Sequence, residues 1–253
     1  MDGSMGDLLP RAELRGLIAH LRRRAYILVG VFFFGFLGGF PASGEAIEWL
    51  LDSSSYRPDG VEIVILHPME AILLRLRIGV NVGVILASLI LMCDISWNGK
   101  KIVAESRRTG RHDNGSISGV LLVILLAFLL GGLGAAYSHG VLVPLLLDYL
   151  SDDAASAGLA TTWQLQSWVG FITGLYFASI LGFQVPLIAS ILLRGDIIDR
   201  SSISDNRGNL WFAGLILGAL ISPPDPVSMF LVAGPMLLLL EVSLVVDKMT
   251  RNQ

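Results

Sequence analysis

Six long apolar runs separated by short polar gaps organise this chain. They cover Ala25 to Phe40, Ala71 to Cys93, Ile117 to Tyr137, Trp163 to Leu193, Leu210 to Ile221 and Val227 to Val246. Backbone exposed to lipid has no water to bond, so runs of this kind predict transmembrane helices. The fourth run is too long for one straight crossing, and Pro186 is expected to kink it or end its regular part. The fifth is the reverse case: Leu210 to Ile221 spans about 18 Å against an apolar core of about 30 Å. The fold class predicted is an all-α membrane protein of six transmembrane helices, the fifth and sixth short.

The gaps carry the orientation. Fifteen of the eighteen Lys and Arg residues fall at the N-terminus, between Asp94 and Ser116, between Arg194 and Gly208, and in the C-terminal tail. The alternate gaps, residues 41–70, 148–162 and 222–226, hold ten Asp or Glu and only Arg57 as a base. Basic residues stay on the cytoplasmic side, so both termini are expected there, in a cell membrane. One domain is expected: a cytoplasmic amphipathic N-terminus over 1–24, a six-helix bundle over 25–246 and a tail over 247–253. Leu14, Leu17, Ile18, Leu21 and Ala25 share one helical face, which suits a segment lying on the inner membrane surface. Arg22-Arg23-Arg24 before an apolar run also resembles a signal peptide, but Phe40-Pro41 offers no small-x-small cleavage site, so a retained helix is expected.

Composition narrows the chemistry. Charged residues make up 15% of the chain, against about 25% in soluble domains. Cys93 is the only cysteine, so neither an internal disulfide nor a thiolate cluster can form. The sequence has no phosphate-binding Gly-x-x-x-x-Gly-Lys-Ser/Thr loop and no His-Glu-x-x-His. Gly115-Ser116-Ile117-Ser118-Gly119 has Ile117 where a serine hydrolase needs its nucleophile. The reading is therefore a non-enzyme with no metal, cofactor or nucleic-acid partner. Paired small residues four apart (Gly35 and Gly39, Gly79 and Gly83, Gly170 and Gly174, Gly214 and Gly218) favour close helix packing.

Polar residues at membrane depth remain. Glu241, about five residues before the end of the sixth run, is expected to pair with Lys248 or Arg22 or to act within the membrane. Asn81 and Gln184 can each be satisfied by one interhelical hydrogen bond. Arg75 and Arg77 are expected to snorkel to the headgroups from the start of the second helix. Glu70 fits the first turn of that helix, where its charge complements the dipole. His139 is expected at the interface near the end of the third.

Taken in order, these residues resemble the TatC family, the six-helix core of the twin-arginine protein translocase. Ser222-Pro223-Pro224-Asp225, Ala233-Gly234-Pro235-Met236 and Glu241 resemble that family's last hairpin. Phe183-Gln184-Val185-Pro186 resembles its Phe-Glu-x-Pro, Pro68-Met69-Glu70 with Arg77 the opening of its helix two, and Leu21-Arg22-Arg23-Arg24 the lead into helix one. The resemblance implies export of folded proteins bearing a twin-arginine signal peptide, driven by the proton gradient. It also implies partners: twin-arginine precursors, small single-helix TatA- or TatB-type subunits, further TatC copies and the lipid bilayer. Signal-peptide contact would fall on Glu105, Glu13, His20, Arg22 and Arg24, with Glu105 carrying most of it. Structural or partner-facing roles would fall on Pro68, Glu70, Arg77, Gln184, Pro186, Asp225 and Glu241.

The chain departs from the pattern at His20, where the family has an acid, at Gln184, at Met229, and by one residue inserted before Arg107-Arg108. Those departures keep two other readings open. One is a TatC-like paralogue that assembles with a complete TatC without binding signal peptides. The other is a small-solute or ion transporter using Glu241 and Asn81.

Overall fold

A computed structural model describes residues 11–53, 56–57, 61–107, 117–158, 162–194, 205–221 and 226–251. Helix α1 runs Arg11–Asp52 and α2 Glu70–Arg107. Next come α3 (Ile117–Tyr137), a π-turn (Ser138–Leu142) and α4 (Val143–Ser156). A second broken rod is α5 (Leu165–Gly182) with α6 (Val185–Arg194), and the hairpin is α7 (Arg207–Ile221) with α8 (Pro226–Arg251). These rods make six passes. Among the described residues, four segments are long and apolar enough to cross a membrane: 22–52, 70–98, 119–156 and 165–193.

Several helices outrun their apolar runs. α1 is 42 residues long and continues through Pro41, where the sequence pattern ended it. Pro41 removes one backbone bond without breaking the rod, and Ser43 Oγ donates to the Phe40 carbonyl at 2.5 Å. No turn separates residues 11–24 from the span, so the expected surface-lying segment is instead an extension of the first helix. The third pass likewise does not stop at Tyr137. Pro144 would crowd the Gly140 carbonyl in a regular helix, and the backbone widens there: the Val143 N–H donates to Ser138 O, five residues back.

The expectation at Pro186 holds, since α5 ends at Gly182 and α6 starts at Val185. The fifth pass is short, at 15 residues. The sixth is 26 residues as a helix, of which Met229–Val245 form the described apolar stretch. Asp225, with Pro223 and Pro224, lies outside the described residues.

α1 and α2 pack antiparallel through their glycines. A Cβ on Gly35 would lie 2.8 Å from Gly83 Cα, and one on Gly39 would lie 3.2 Å from Gly79 Cα. Gly214 serves the hairpin in the same way against Leu237 and Met236 of α8. Gly170 and Gly174 face a side chain instead, that of Arg77.

Two buried clusters divide the bundle by depth. One gathers Leu50, Tyr56, Leu74, Leu146, Trp168 and Ile172 around the ends of α1 and α4 and the beginnings of α2 and α5. The other joins Met92, Val123, Ala127, Leu187 and Ile191. Leu193 packs with Leu244 near the end of α8, Met92 of α2 clusters with Ile191 of α6 and Arg24 of α1 pairs with Asp94 of α2, so the N-terminal end of α1 and the C-terminal end of α8 lie on one side. On the far side, β1 (Glu62–Val64) pairs in parallel with β2 (Thr162–Gln164), Ile63 opposite Trp163. This two-stranded clip, absent from the sequence reading, sets the starts of α2 and α5 level.

Candidate functional site: the terminus-side face and the polar positions behind it

The side that holds both termini is built from the ends of α1 and α2. Arg24 Nε lies 3.4 Å from Asp94 Oδ1, and Asn98 Nδ2 donates to the same oxygen at 3.0 Å. Arg24, Ile27, Leu28, Cys93, Asp94 and Trp97 line a cavity of about 290 Å³ between these helices. Arg22 is exposed at the same end. Asp94 and Trp97 were missed by sequence reasoning. The signal available was an acid and an aromatic just past the last apolar residue of the second run.

Gly39 opposite Gly79, Gly35 opposite Gly83 and Arg24 opposite Asp94 follow one antiparallel register. Eleven residues separate Arg24 from Glu13, and eleven separate Asp94 from Glu105. Both helices are unbroken over those stretches, so the register sets Glu13 and Glu105 at one level, about 16 Å beyond the Arg24–Asp94 pair. His20 falls opposite Asn98. Seven residues separate Glu13 from His20, so the two share a helix face about 10 Å apart. The side chains of Glu13, His20 and Glu105 lie outside the described part of the structure.

On the far side Glu70 is wholly buried, at 0% exposure. Its Oε1 accepts from Leu66 N at 2.9 Å, His67 N at 2.8 Å and Gln164 Nε2 at 2.8 Å, and its Oε2 accepts from Gln166 N at 3.4 Å. The expected first-turn position is correct, but the dipole is only part of the account: this carboxylate ties the loop before α2 to the start of α5. Pro68 is exposed in that loop, where its ring restrains the turn whose N–H groups Glu70 collects. His139 also does more than meet the interface. Its Nδ1 contacts the Tyr56 hydroxyl and lies 3.0 Å from Tyr176 OH, and the two hydroxyls are 2.8 Å apart.

Gln184 is 2% exposed and donates from Nε2 to the Ala127 carbonyl at 3.0 Å, the interhelical bond expected of it. Among the described residues its Oε1 has no hydrogen-bond partner. The buried Pro186 leaves its own carbonyl to accept from Ser243 Oγ at 3.1 Å, which fastens α6 to α8.

Glu241 has a described partner that the sequence analysis did not name, Arg207; the Lys248 side chain lies outside the described residues. Arg207 reaches it with both ends of its fork, Nε to Oε1 at 3.0 Å and a terminal nitrogen to Oε2, while Trp211 Nε1 donates to Oε1 at 3.0 Å. The sequence assigned Arg207 to a loop, whereas it opens α7 and so stands beside α8. The Arg77 guanidinium lies along α5 beside Gly170 and Gly174, and the residue is exposed.

Six passes with a stunted fifth, helix ends that present paired acids and bases on the terminus side, and a far-side clip define a multi-pass membrane protein. The family described as Sec-independent protein translocase protein (TatC) matches residues 17–235. The TatC protein of Aquifex aeolicus is 25% identical over 237 residues, covering 93% of this chain and 95% of that one. That of Listeria innocua is 26% identical over 244 residues, covering 94% and 92%. A crystal structure described as the twin arginine translocase receptor TatC in DDM superposes with a TM-score of 0.72 at 24% identity, over 92% of this chain and 98% of that one. The chain belongs to the TatC family and by that membership is a core subunit of the Sec-independent, twin-arginine translocase.

Proposed function

We propose that this subunit receives twin-arginine signal peptides on the side holding its termini, that this side is cytoplasmic, and that Glu13 and Glu105 are the receiving carboxylates. The single observation that supports the reading most is the α1–α2 register, which sets two acids opposite each other on helices that extend past the apolar core. A guanidinium pair needs two fixed acceptors, because bidentate hydrogen bonds give orientation as well as energy. His20 cannot substitute: protonated it repels arginine, and neutral it accepts one bond. Glu13, two turns further out on the same face, supplies the missing acceptor. Arg22 and Arg24 flank the site, and Arg24 holds Asp94 and the base of the two helices in place.

The single membrane domain then works by docking, with no nucleotide and with the proton gradient as its energy source. TatA- or TatB-type single-helix subunits and further TatC copies meet its lipid-facing surfaces. The exposed apolar residues Phe212, Ile216, Phe230 and Leu238 of the α7–α8 hairpin fit such helices.

The test is site-specific crosslinking from position 105 to a twin-arginine precursor and to its twin-lysine version, alongside Glu105→Ala and Glu13→Ala. Crosslinks that require arginine and weaken in both variants are expected. Loss of neither would overturn the assignment. Co-purification with a second TatC in the absence of any precursor crosslink would support the assembly-partner reading instead.

A further inference from the structure

Arg77 lies seven residues into α2, about 10 Å below Glu70 along the helix axis. One of its terminal nitrogens would stand 2.6 Å from a Cβ on Gly170 and the other 3.5 Å from a Cβ on Gly174. The guanidinium therefore lies against the two glycines of α5, within the membrane-spanning stretch of that helix. Arginine stays charged at any physiological pH, and a charge at membrane depth costs several kcal/mol unless it is paired or hydrated. Among the described residues no carboxylate forms an ion pair with it. Glu70, the acid nearest in sequence, is turned to the backbone N–H groups of the preceding loop and to Gln164. Yet Arg77 is exposed.

The surface just below it is the reverse in character. Asn81, one turn further along α2, and Thr173 and Phe177, on the face of α5 that bears the two glycines, line a groove of about 220 Å³. The groove runs toward mid-membrane past Val82, Ile85 and Ile180. A fixed cation thus sits beside an apolar slot, above its inner half at Asn81, Val82, Ile85 and Ile180 and below its outer end at Trp49 and Leu50 of α1, on the side of the bundle opposite the termini.

We propose that Arg77 and this groove bind one anionic phospholipid of the leaflet opposite the chain termini. Its phosphate would lie on the guanidinium and one acyl chain in the slot. The order of chemistry along the membrane normal, negative phosphate first and hydrocarbon inward, matches the lipid in both position and charge. The fork geometry of arginine suits phosphate oxygens. The glycines leave room for the guanidinium against α5, and Arg77 remains exposed. This proposal does not depend on the signal-peptide reading.

The test is native mass spectrometry of the purified full chain titrated with phosphatidylglycerol, with phosphatidylcholine and with inorganic phosphate. Phosphatidylglycerol is expected to bind about tenfold tighter than phosphatidylcholine: both present a phosphate, but the choline cation beside it opposes the guanidinium, and about 1.4 kcal/mol of such repulsion corresponds to that ratio. Arg77→Gln should erase that preference, and Arg77→Lys should retain part of it. Thr173→Phe, which fills the slot and keeps the cation, should weaken both lipids. Equal affinity for the two lipids, or an unchanged preference in Arg77→Gln, would overturn the proposal. So would inorganic phosphate binding as tightly as the lipid, or a precursor or partner helix captured in place of lipid by a photocrosslinker at Phe177. Should Arg77→Gln fail to fold, the wild-type headgroup comparison and Thr173→Phe still decide.

Discussion

The Cα of Gly83 lies where a side chain on Gly35 would have to begin: a Cβ there would stand 2.8 Å away, inside any real contact distance. The contact is reciprocal, since a Cβ on Gly83 would meet the Phe32 carbonyl oxygen at 2.7 Å. Backbone cannot yield as a flexible side chain does, so α1 and α2 must separate to admit even one methyl group. Overpacking of this kind costs about 1–3 kcal/mol. Gly83→Ala is therefore expected to lower the midpoint of thermal unfolding in detergent, while Gly30→Ala, with nothing within 4 Å, leaves it unchanged. Equal midpoints for the two variants would show that the seam is looser than its geometry.

Glu70 makes a sharper case because it is fully buried. Its three closest donors converge on Oε1, and a fourth reaches Oε2. Glutamine keeps the shape but turns one acceptor into a donor facing other donors. Leaving buried donors unsatisfied costs about 1–3 kcal/mol each. Glu70→Gln should destabilise the far-side clip, seen as faster proteolysis of the loop before α2, whereas Pro68→Ala should have a smaller effect. A variant as resistant as wild type would mean that water replaces the carboxylate without loss.

The sequence carried much of the fold because the membrane imposes simple rules. Lys and Arg placement revealed alternating sides, and the short run before Ile221 revealed the stunted pass. Helix ends were less legible. An apolar run measures contact with lipid, whereas a helix continues wherever its backbone bonds close. α1 therefore ran past Pro41, and the third pass crossed Pro144 through a π-turn. Partners distant in sequence were harder still. Glu241 and Arg207 are 34 residues apart, and nothing in a loop-like stretch announces that Arg207 will open a helix beside α8. Counting from Glu13 toward the apolar run does not reveal its level relative to Glu105; that measure comes from the α1–α2 register.

That distant pair also sets the grip of the last hairpin. Arg207 and Trp211, both on α7, reach one carboxylate of α8. The Arg207 side chain is 54% exposed and that of Glu241 20%, so solvent screens much of the attraction. A double-mutant cycle between Arg207→Gln and Glu241→Gln is expected to give a coupling no larger than about 1 kcal/mol. Trp211→Phe should then cost a comparable fraction by removing one donor. A coupling of several kcal/mol would show that lipid excludes water from the pair, which would place this end of the hairpin deeper in the membrane.

The departure at His20 permits a test in the direction of gain. If Glu13 stands in for a carboxylate that the family carries closer to the membrane, the site works with its two acids about 16 Å beyond the Arg24–Asp94 pair. His20→Glu would add an acceptor opposite Asn98, about 10 Å nearer the membrane on the same helix face. One further charge-assisted hydrogen bond corresponds to about a tenfold gain in affinity for a twin-arginine signal peptide. The twin-lysine peptide should gain less, because an ammonium lacks the bidentate fork. Glu13→Ala should weaken the wild type more than it weakens the His20→Glu variant, since the new acid takes over its task. Fluorescence anisotropy with labelled signal peptides measures all four combinations. If His20→Glu leaves arginine and lysine peptides equally unaffected while Glu105→Ala abolishes binding, a single carboxylate is sufficient and Glu13 has no part in recognition.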